Sequence, residues 1–401
     1  GRVLKMAGGP LEGVRVVDLT SVVVGPLATQ IMADHGADVI KVEGPGGSDE
    51  TRSWGPPFQN GVSAYYLCAN RNKRSITVNL KTEEGREIIR KLAMEADVLI
   101  HNFKTGSMEN WELDYNSLKN INPQLVYCSI TGFGETGPFR HLPGYDYIIQ
   151  GMSGLMSITG SEESGPIKIG VAMVDILTGL YSAISIEAAL YEREKSGEGQ
   201  KIDMSLMDTA VSSLANVASN YLISGNVPRR IGNDHPNIVP YSTFQALDGE
   251  FIIAVGNNRQ FTTLCEVVGY RELGEDEKFR TNEARVKNKE ELTRILENLL
   301  QVKSVDEWIE LLSEKNIPCG PIHSMDQVFE HPQVTAREMV VQVDHPEAGL
   351  VKLVGSPIKL SRTKVKIERH PPMAGEHNSE VLQQAGFSLE EIAQLKENKI
   401  I

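Results

Sequence analysis

Short apolar runs alternate with helical stretches through roughly the first third of the chain, and this alternation restricts the fold more than any other feature. Arg15–Leu19, Asp38–Glu43, Arg74–Leu80, Ala96–Ile100 and Leu125–Ile130 read as strands. Between the first two, Pro26–His35 reads as a helix, with proline suited to the first helical position and Gly36 to the cap beyond the end. Thr82–Ala96 reads as an amphipathic helix with Ile88, Ile89, Leu92 and Ala96 on one side. Strands joined by helices of this length predict βαβ units and a largely parallel sheet.

After residue 145 the pattern turns helical, with helices expected at Asp175–Lys195 and Met207–Ser224. A second composition begins near Tyr241. Thr243–Leu247 and Glu250–Val255, joined by Asp248-Gly249, read as a hairpin closed by a two-residue turn. Helices at about 259–268, 286–301 and 304–315 follow. The expected layout is a large α/β part over 1–205, a linking helix and loop over 206–235, and a separate, smaller α+β domain over 236–325. The tail from Pro332 mixes short strands with a terminal helix, Ser388–Lys396.

Charge removes several functions. With 40 Lys plus Arg against 53 Asp plus Glu the net charge is −13, and no long basic run is present. Non-specific nucleic-acid or anionic-membrane binding is therefore not expected. No apolar run reaches 18 residues, so no transmembrane helix is expected, and Gly1–Pro10 lacks the apolar stretch of a signal peptide. The four cysteines (Cys68, Cys128, Cys265, Cys319) are scattered, which suggests neither a disulfide framework nor a zinc site. A reducing compartment is the natural reading: the cytoplasm, or the mitochondrial matrix if a transit peptide has been removed.

A βαβ start invites a dinucleotide, but the stretch after the first strand, Thr20–Pro26, carries no GxGxxG, and the chain has no P-loop. Glu43 ends the second strand where a nicotinamide-binding protein would place its ribose carboxylate; an acid there is common. Asp175 follows an apolar run and stands where a helix starts. It reads either as a helix N-cap or as an oriented, partly desolvated carboxylate held ionised by the helix dipole, as a nucleophile requires. Tyr145-Asp146, after Pro143-Gly144, reads as an aromatic packed at a helix start or as a phenol and second acid lining the same pocket. Gly256–Gln260 is a turn or a mobile loop whose amides face an oxyanion. Asn102-Phe103 falls at the carboxyl end of a strand, where α/β proteins bind ligands. Lys81 and Arg71–Arg74 supply local positive charge, or simply a solvated loop.

Together these segments resemble the class III CoA-transferases, a family that includes formyl-CoA transferase, carnitine CoA-transferase and the α-methylacyl-CoA racemases. The resemblance runs over nearly the whole chain. It is carried by Pro10–Val16, Gly36–Glu43, Asn70–Ile76, Ser129–Gly134, Gly144–Asp146 and Val174–Gly179. It implies a Rossmann-like large domain built from both chain ends, so that 326–401 returns to it, and two subunits interlocked as rings. It also implies a nucleophile at Asp175 with Tyr145, Gly256 and Asn257 in the catalytic set. The CoA-contacting residues it implies are Asn102, Phe103, Lys81, Val78 and Asp146, with CoA thioesters as substrates and no tightly bound cofactor or metal. Asn110 and Gly44 stand where family members carry CoA-site arginines, so Arg71 or Arg74 is expected to share the phosphates. The Gly256–Gln260 loop and Val239–Tyr241 look most like the short dicarboxylate branch, with succinyl-CoA as donor, and Arg259 or His235 could pair with a distal carboxylate. Two rivals remain: a racemase on the same fold, for which Tyr145 stands where a histidine base is needed, and a CoA-binding protein without catalysis.

Overall fold

The computed structural model describes residues 8–401; most of the Gly1–Pro10 segment discussed above lies outside them. The described chain divides into two compact units. One comprises the chain up to Leu155, Ile169–Leu214 and Gln333–Ile401; the other comprises Met156–Lys168 and Ala215–Pro332.

The first unit is built on six parallel strands: β1 (Arg15–Leu19), β2 (Asp38–Glu43), β3 (Arg74–Thr77), β4 (Val98–His101), β5 (Val126–Thr131) and β6 (Lys201–Ser205). They lie in the order β6-β5-β4-β1-β2-β3. Successive side chains of a strand point to opposite faces, and here each face has its own core. Val17, Leu19, Ile40, Val42, Ile76 and Leu99 pack on α2 (Glu83–Glu95) through Ile88, Ile89 and Leu92. Val16, Val39, Val98, Ile100 and Val126 pack on α1 (Val24–Asp34) through Ala28 and Met32, and on α4 (Met173–Ser196) through Val174, Ala183 and Ile186. A sheet covered on both faces accounts for strands that are near-continuous apolar runs. Each fully buried Ile or Leu contributes about 1.5–3 kcal/mol.

α4 is long and apolar enough, by length and composition alone, to cross a membrane. Its buried stripe against the sheet and α1 makes it a core helix instead. Gly179 permits the α1 crossing: a Cβ there would stand 2.8 Å from the Val24 carbonyl oxygen. α4 runs antiparallel to the strands. Its start lies beside the start of α1, and its end leads past Gly199, against Leu125 at the entrance to β5, into β6.

Local differences from the sequence reading have physical causes. β6 went unread because it is an edge strand whose residues alternate exposed and half-buried. The expected Met207–Ser224 helix is two helices, Leu206–Ser213 and Ala215–Ser224, broken where Ala215 takes a φ of 44°. In the second unit, Tyr241–Gln245 and Glu250–Ala254 are antiparallel with Gln245 opposite Glu250; the Ala246 amide donates to the Gly249 carbonyl at 2.8 Å, so the hairpin closes through Leu247-Asp248, one residue earlier than the sequence reading placed it. Asp248 accepts a hydrogen bond from the Val305 amide at 2.8 Å, and the Leu247 amide donates to the Lys303 carbonyl at 2.9 Å, which ties both turn residues to the segment before the next helix. This sheet, completed by Cys319–Pro321, packs Phe244, Phe251 and Ile253 on helices through Phe261, Leu264, Leu296 and Trp308.

Candidate active site

In an open parallel sheet, ligands bind outside the carboxyl ends of the strands where the strand order reverses. Here that point lies between β1 and β4. Asn102, one residue past β4, reaches across it: its Oδ1 accepts from the Ser21 amide at 3.2 Å, and its Nδ2 donates to the Ser21 carbonyl at 2.9 Å. The Phe103 amide donates to His101 Nδ1 at 3.1 Å, and the two rings stack with centroids 6.0 Å apart. His101 is buried, and burial pushes its pKa down to about 3, so it stays neutral and serves as the acceptor.

Asp175 lies in the first turn of α4, which by the helix direction places it at this same edge of the sheet. The cap position is Ala172, and the preceding Ile167–Ala172 is loop, not strand. The vacant capping function is filled from a distance. Asp146, in the first turn of α3 (Asp146–Met152), accepts the Asp175 amide at 2.9 Å through Oδ2 and the Gln150 side-chain amide at 2.6 Å through Oδ1. Gln150 in turn accepts the Ile169 amide at 3.0 Å. Two carboxylates are thus placed together by one short network. Burial first, and the neighbouring Asp146 charge second, push the Asp175 pKa up to about 7. The dipole expected to hold Asp175 ionised is outweighed.

Tyr65, for which the sequence held no signal, belongs to this neighbourhood. Burial and then the Asp175 charge, with Asp146 and Asp49 contributing less, raise its pKa above the usual phenol range. Tyr145 stands at the cap position of α3 and is 72% exposed.

The remaining residues read from the sequence are dispersed. Val78 and Lys81 follow β3 at the carboxyl side; Val78 is a core residue and Lys81 is exposed. Arg71 and Arg74 lie before and at the start of β3, the opposite end of the sheet. Arg71 pairs with Asp34 at 2.8 Å and donates to the Val354 carbonyl. Arg74 pairs with Asp38 at 2.8 Å and Glu380 at 3.1 Å. Glu43 chelates Arg52, which explains that acid without a ribose. In the second unit, Asn257 caps the helix Asn258–Val267, and the Gly256 amide donates to Gln260 Oε1 at 2.6 Å. The buried Arg285 holds Asn258 at 2.9 Å. His235 Nδ1 accepts the amides of Asn237 and Ile238 at 2.9 and 3.1 Å. All four cysteines are free thiols.

A doubly wound α/β unit with a paired carboxylate at a helix start on its ligand-binding edge defines a class: α/β enzymes with a candidate acid nucleophile. Residues 11–378 match the model of CoA-transferase family III, and the chain belongs to that family. The succinate–glutarate CoA-transferase of Agrobacterium fabrum is 48% identical over 379 residues, covering 93% of this chain and 95% of that protein. The human succinyl-CoA:glutarate CoA-transferase is 42% identical over 375 residues, covering 94% of this chain and 86% of its own length. A CAIB/BAIF family protein from Brucella suis superposes with a TM-score of 0.83 at 48% identity, covering 94% of this chain and 100% of that one. The chain is an enzyme, a CoA-transferase of the branch whose relatives handle short dicarboxylates.

Proposed function

We propose that the enzyme moves CoA from succinyl-CoA to a short dicarboxylic acid, with Asp175 as the nucleophile. The observation that carries this reading is the Asp175 carboxylate itself, partly desolvated, held in the first turn of α4 and paired with Asp146. The acids named in the relatives, glutarate and mesaconate, support the acceptor class.

Asp175 attacks the thioester carbonyl of the donor; the C–S bond breaks, leaving CoA thiolate and an aspartyl–succinyl anhydride. The thiolate attacks the aspartyl carbonyl, forming an aspartyl–CoA thioester and releasing succinate. The acceptor carboxylate attacks that thioester, giving a second anhydride and thiolate again. Thiolate attack on the acceptor's acyl carbon then releases the new acyl-CoA and restores Asp175. Every step exchanges acyl groups of similar activation. A carboxylate is a weak nucleophile in water, so the site must keep it in line and dry. Asn102, Phe103 and Lys81 face the CoA in this reading, with Lys81 on phosphate; Val78, buried in the core, backs that wall. Asp146 sets the position and basicity of Asp175, and Tyr145 flanks it.

We assign the Gly256 and Asn257 amides the oxyanion role that the family resemblance implies. The Gly256 amide must leave Gln260 to serve, and a Gly256→Val variant with unchanged turnover would remove the assignment. Two copies act together as a homodimer. Leu222, Ile223 and Val227 are 76, 89 and 79% exposed, apolar surface that a second copy would cover. Sedimentation at twice 44.2 kDa is the expected result. The deciding experiment is incubation of the protein with succinyl-CoA and a pool of dicarboxylic acids, read by mass spectrometry of the CoA esters. New esters absent with Asp175→Ala support the reading; esters formed equally by that variant overturn it.

A further inference from the structure

Three consecutive residues between β1 and α1 are each gripped by a side chain from outside the loop. The Thr20 carbonyl accepts from Lys41 Nζ at 3.2 Å. Ser21 is bonded through both its amide and its carbonyl to Asn102. The Val22 amide donates to Asp49 Oδ1 at 3.2 Å. Lys41 and Asp49 are bonded to each other at 2.7 Å, and both side chains are fully buried. Asp49 is itself fixed: Oδ1 also accepts the Thr51 amide at 3.0 Å and the Thr51 hydroxyl at 2.7 Å. Its own amide donates to Glu43 at 2.8 Å.

The gripped loop is strained. Val22 has a φ of 72°, a region that β-branched residues avoid and that persists only where the surroundings over-determine it. A buried Lys–Asp pair is also a poor source of stability, since apolar residues of the same volume commonly do as well. Its position therefore asks for another account. The loop lies at the point where the strand order reverses, against Asn102 and ahead of α1.

We infer that Lys41, Asp49 and Asn102 are positioning residues: they clamp Thr20–Ser21–Val22 in the strained conformation that forms one wall of the acyl-CoA site. This rests on the reading that CoA occupies the carboxyl edge of the sheet. None of the three touches a reacting atom in this account; Lys41 and Asp49 act through the backbone of the loop alone, and Asn102 does so besides facing the CoA.

The test is a double-mutant cycle read by calorimetric titration with CoA and by the KM of succinyl-CoA. Asp49→Ala raises both by about tenfold, a step of the size that releasing one strained residue produces, while the acceptor's KM is unchanged. Val22→Gly accepts the positive φ without strain, and its own constants are the reference for the second background. In the Val22→Gly background Asp49→Ala loses less than about threefold, because the conformation no longer needs holding. The same cycle with Lys41→Met, a clamp residue that does not face the CoA, covers the case in which Asp49→Ala does not fold. An equal loss in both backgrounds overturns the inference, as does an Asp49→Ala protein with a lower Tm and unaltered CoA affinity. If instead the parent protein binds no CoA, or Asp175→Ala still transfers, the functional reading itself falls and takes the clamp with it.

Discussion

The two ends of the large sheet are both rich in charge and use it differently. At the amino end, Arg15, Asp38, Arg74 and Asp97 pair across neighbouring strands and with Arg193 and Glu380, and most of these groups keep partial contact with water. At the carboxyl end, Lys41 and Asp49 are sealed from water, and each is bonded to the loop after β1. Asp175 and Asp146 add two acids to this end, and burial together with the Asp146 charge raises the Asp175 pKa. One end satisfies its charges to join strands. The other seals its ion pair around a loop and sets Asp175 beside a second acid, which costs stability but keeps Asp175 reactive.

The largest effect that tests this contrast is on turnover. Asp175→Ala should abolish transfer, on the order of 10⁴-fold or more if it is the nucleophile. The same residue should carry a cost in the fold. An acid whose folded pKa is raised from the usual 3.8 to about 7 is destabilising once ionised. That penalty is absent at low pH, grows as pH rises from about 4 to about 7, and is complete above. Asp175→Asn should therefore raise Tm more at pH 8 than at pH 5. An equal shift at both would place the carboxylate in an ordinary, solvated setting.

Next in size is a paired comparison of the two ends. Asp49→Ala leaves Lys41 buried without its acid and should remove about 3–5 kcal/mol of stability. Asp38→Ala removes a partly exposed partner of Arg15 and Arg74, with Glu380 still in place, and should cost about 1 kcal/mol or less. Urea denaturation of both variants reads the difference directly. Equal losses would mean that the amino-end pairs are as structural as the buried one.

The contrast was only partly legible in the sequence. Strands β1 to β5 announce themselves because they are buried on both faces, and the apolar run is the physical consequence. Asp175 could be singled out from its place at a helix start, but its partner Asp146 became meaningful only once the fold brought α3 to the first turn of α4. Lys41 did leave a trace: it sits between Ile40 and Val42 in a strand with no solvent face, a position where a lysine must be paired. Val22 left none, since nothing in a valine reports a positive φ. The acids beside Arg71 and Arg74 were hidden for a related reason. A basic cluster in sequence looks like an anion site until the fold supplies Asp34 and Asp38.

The acid pair predicts a pH dependence as well. If Asp175 must be ionised to attack, kcat/KM for succinyl-CoA should rise with pH through about 7. Asp146→Asn keeps an acceptor for the Asp175 amide but removes the neighbouring charge. The limb should then move to lower pH without reaching the range of a free carboxylate, because burial is the first cause and is unchanged. A limb that stays in place would assign the whole shift to burial and reduce Asp146 to a cap.

The smallest expected effect divides the basic residues between the two ends. Lys81 is exposed and follows β3 at the carboxyl side, so its ammonium is free to meet a CoA phosphate. An exposed ion pair contributes about 0.2–1 kcal/mol, and Lys81→Ala should raise the KM of succinyl-CoA by about two- to fivefold. The difference should shrink as salt is raised, since screening weakens such a pair. Arg74→Met, at the amino end, should lower Tm through the loss of Asp38 and Glu380 and leave the salt dependence of KM as it was. The reverse pattern, with Arg74 controlling KM and Lys81 silent, would mean that CoA reaches round to the amino end, and the division of labour between the two ends would be wrong.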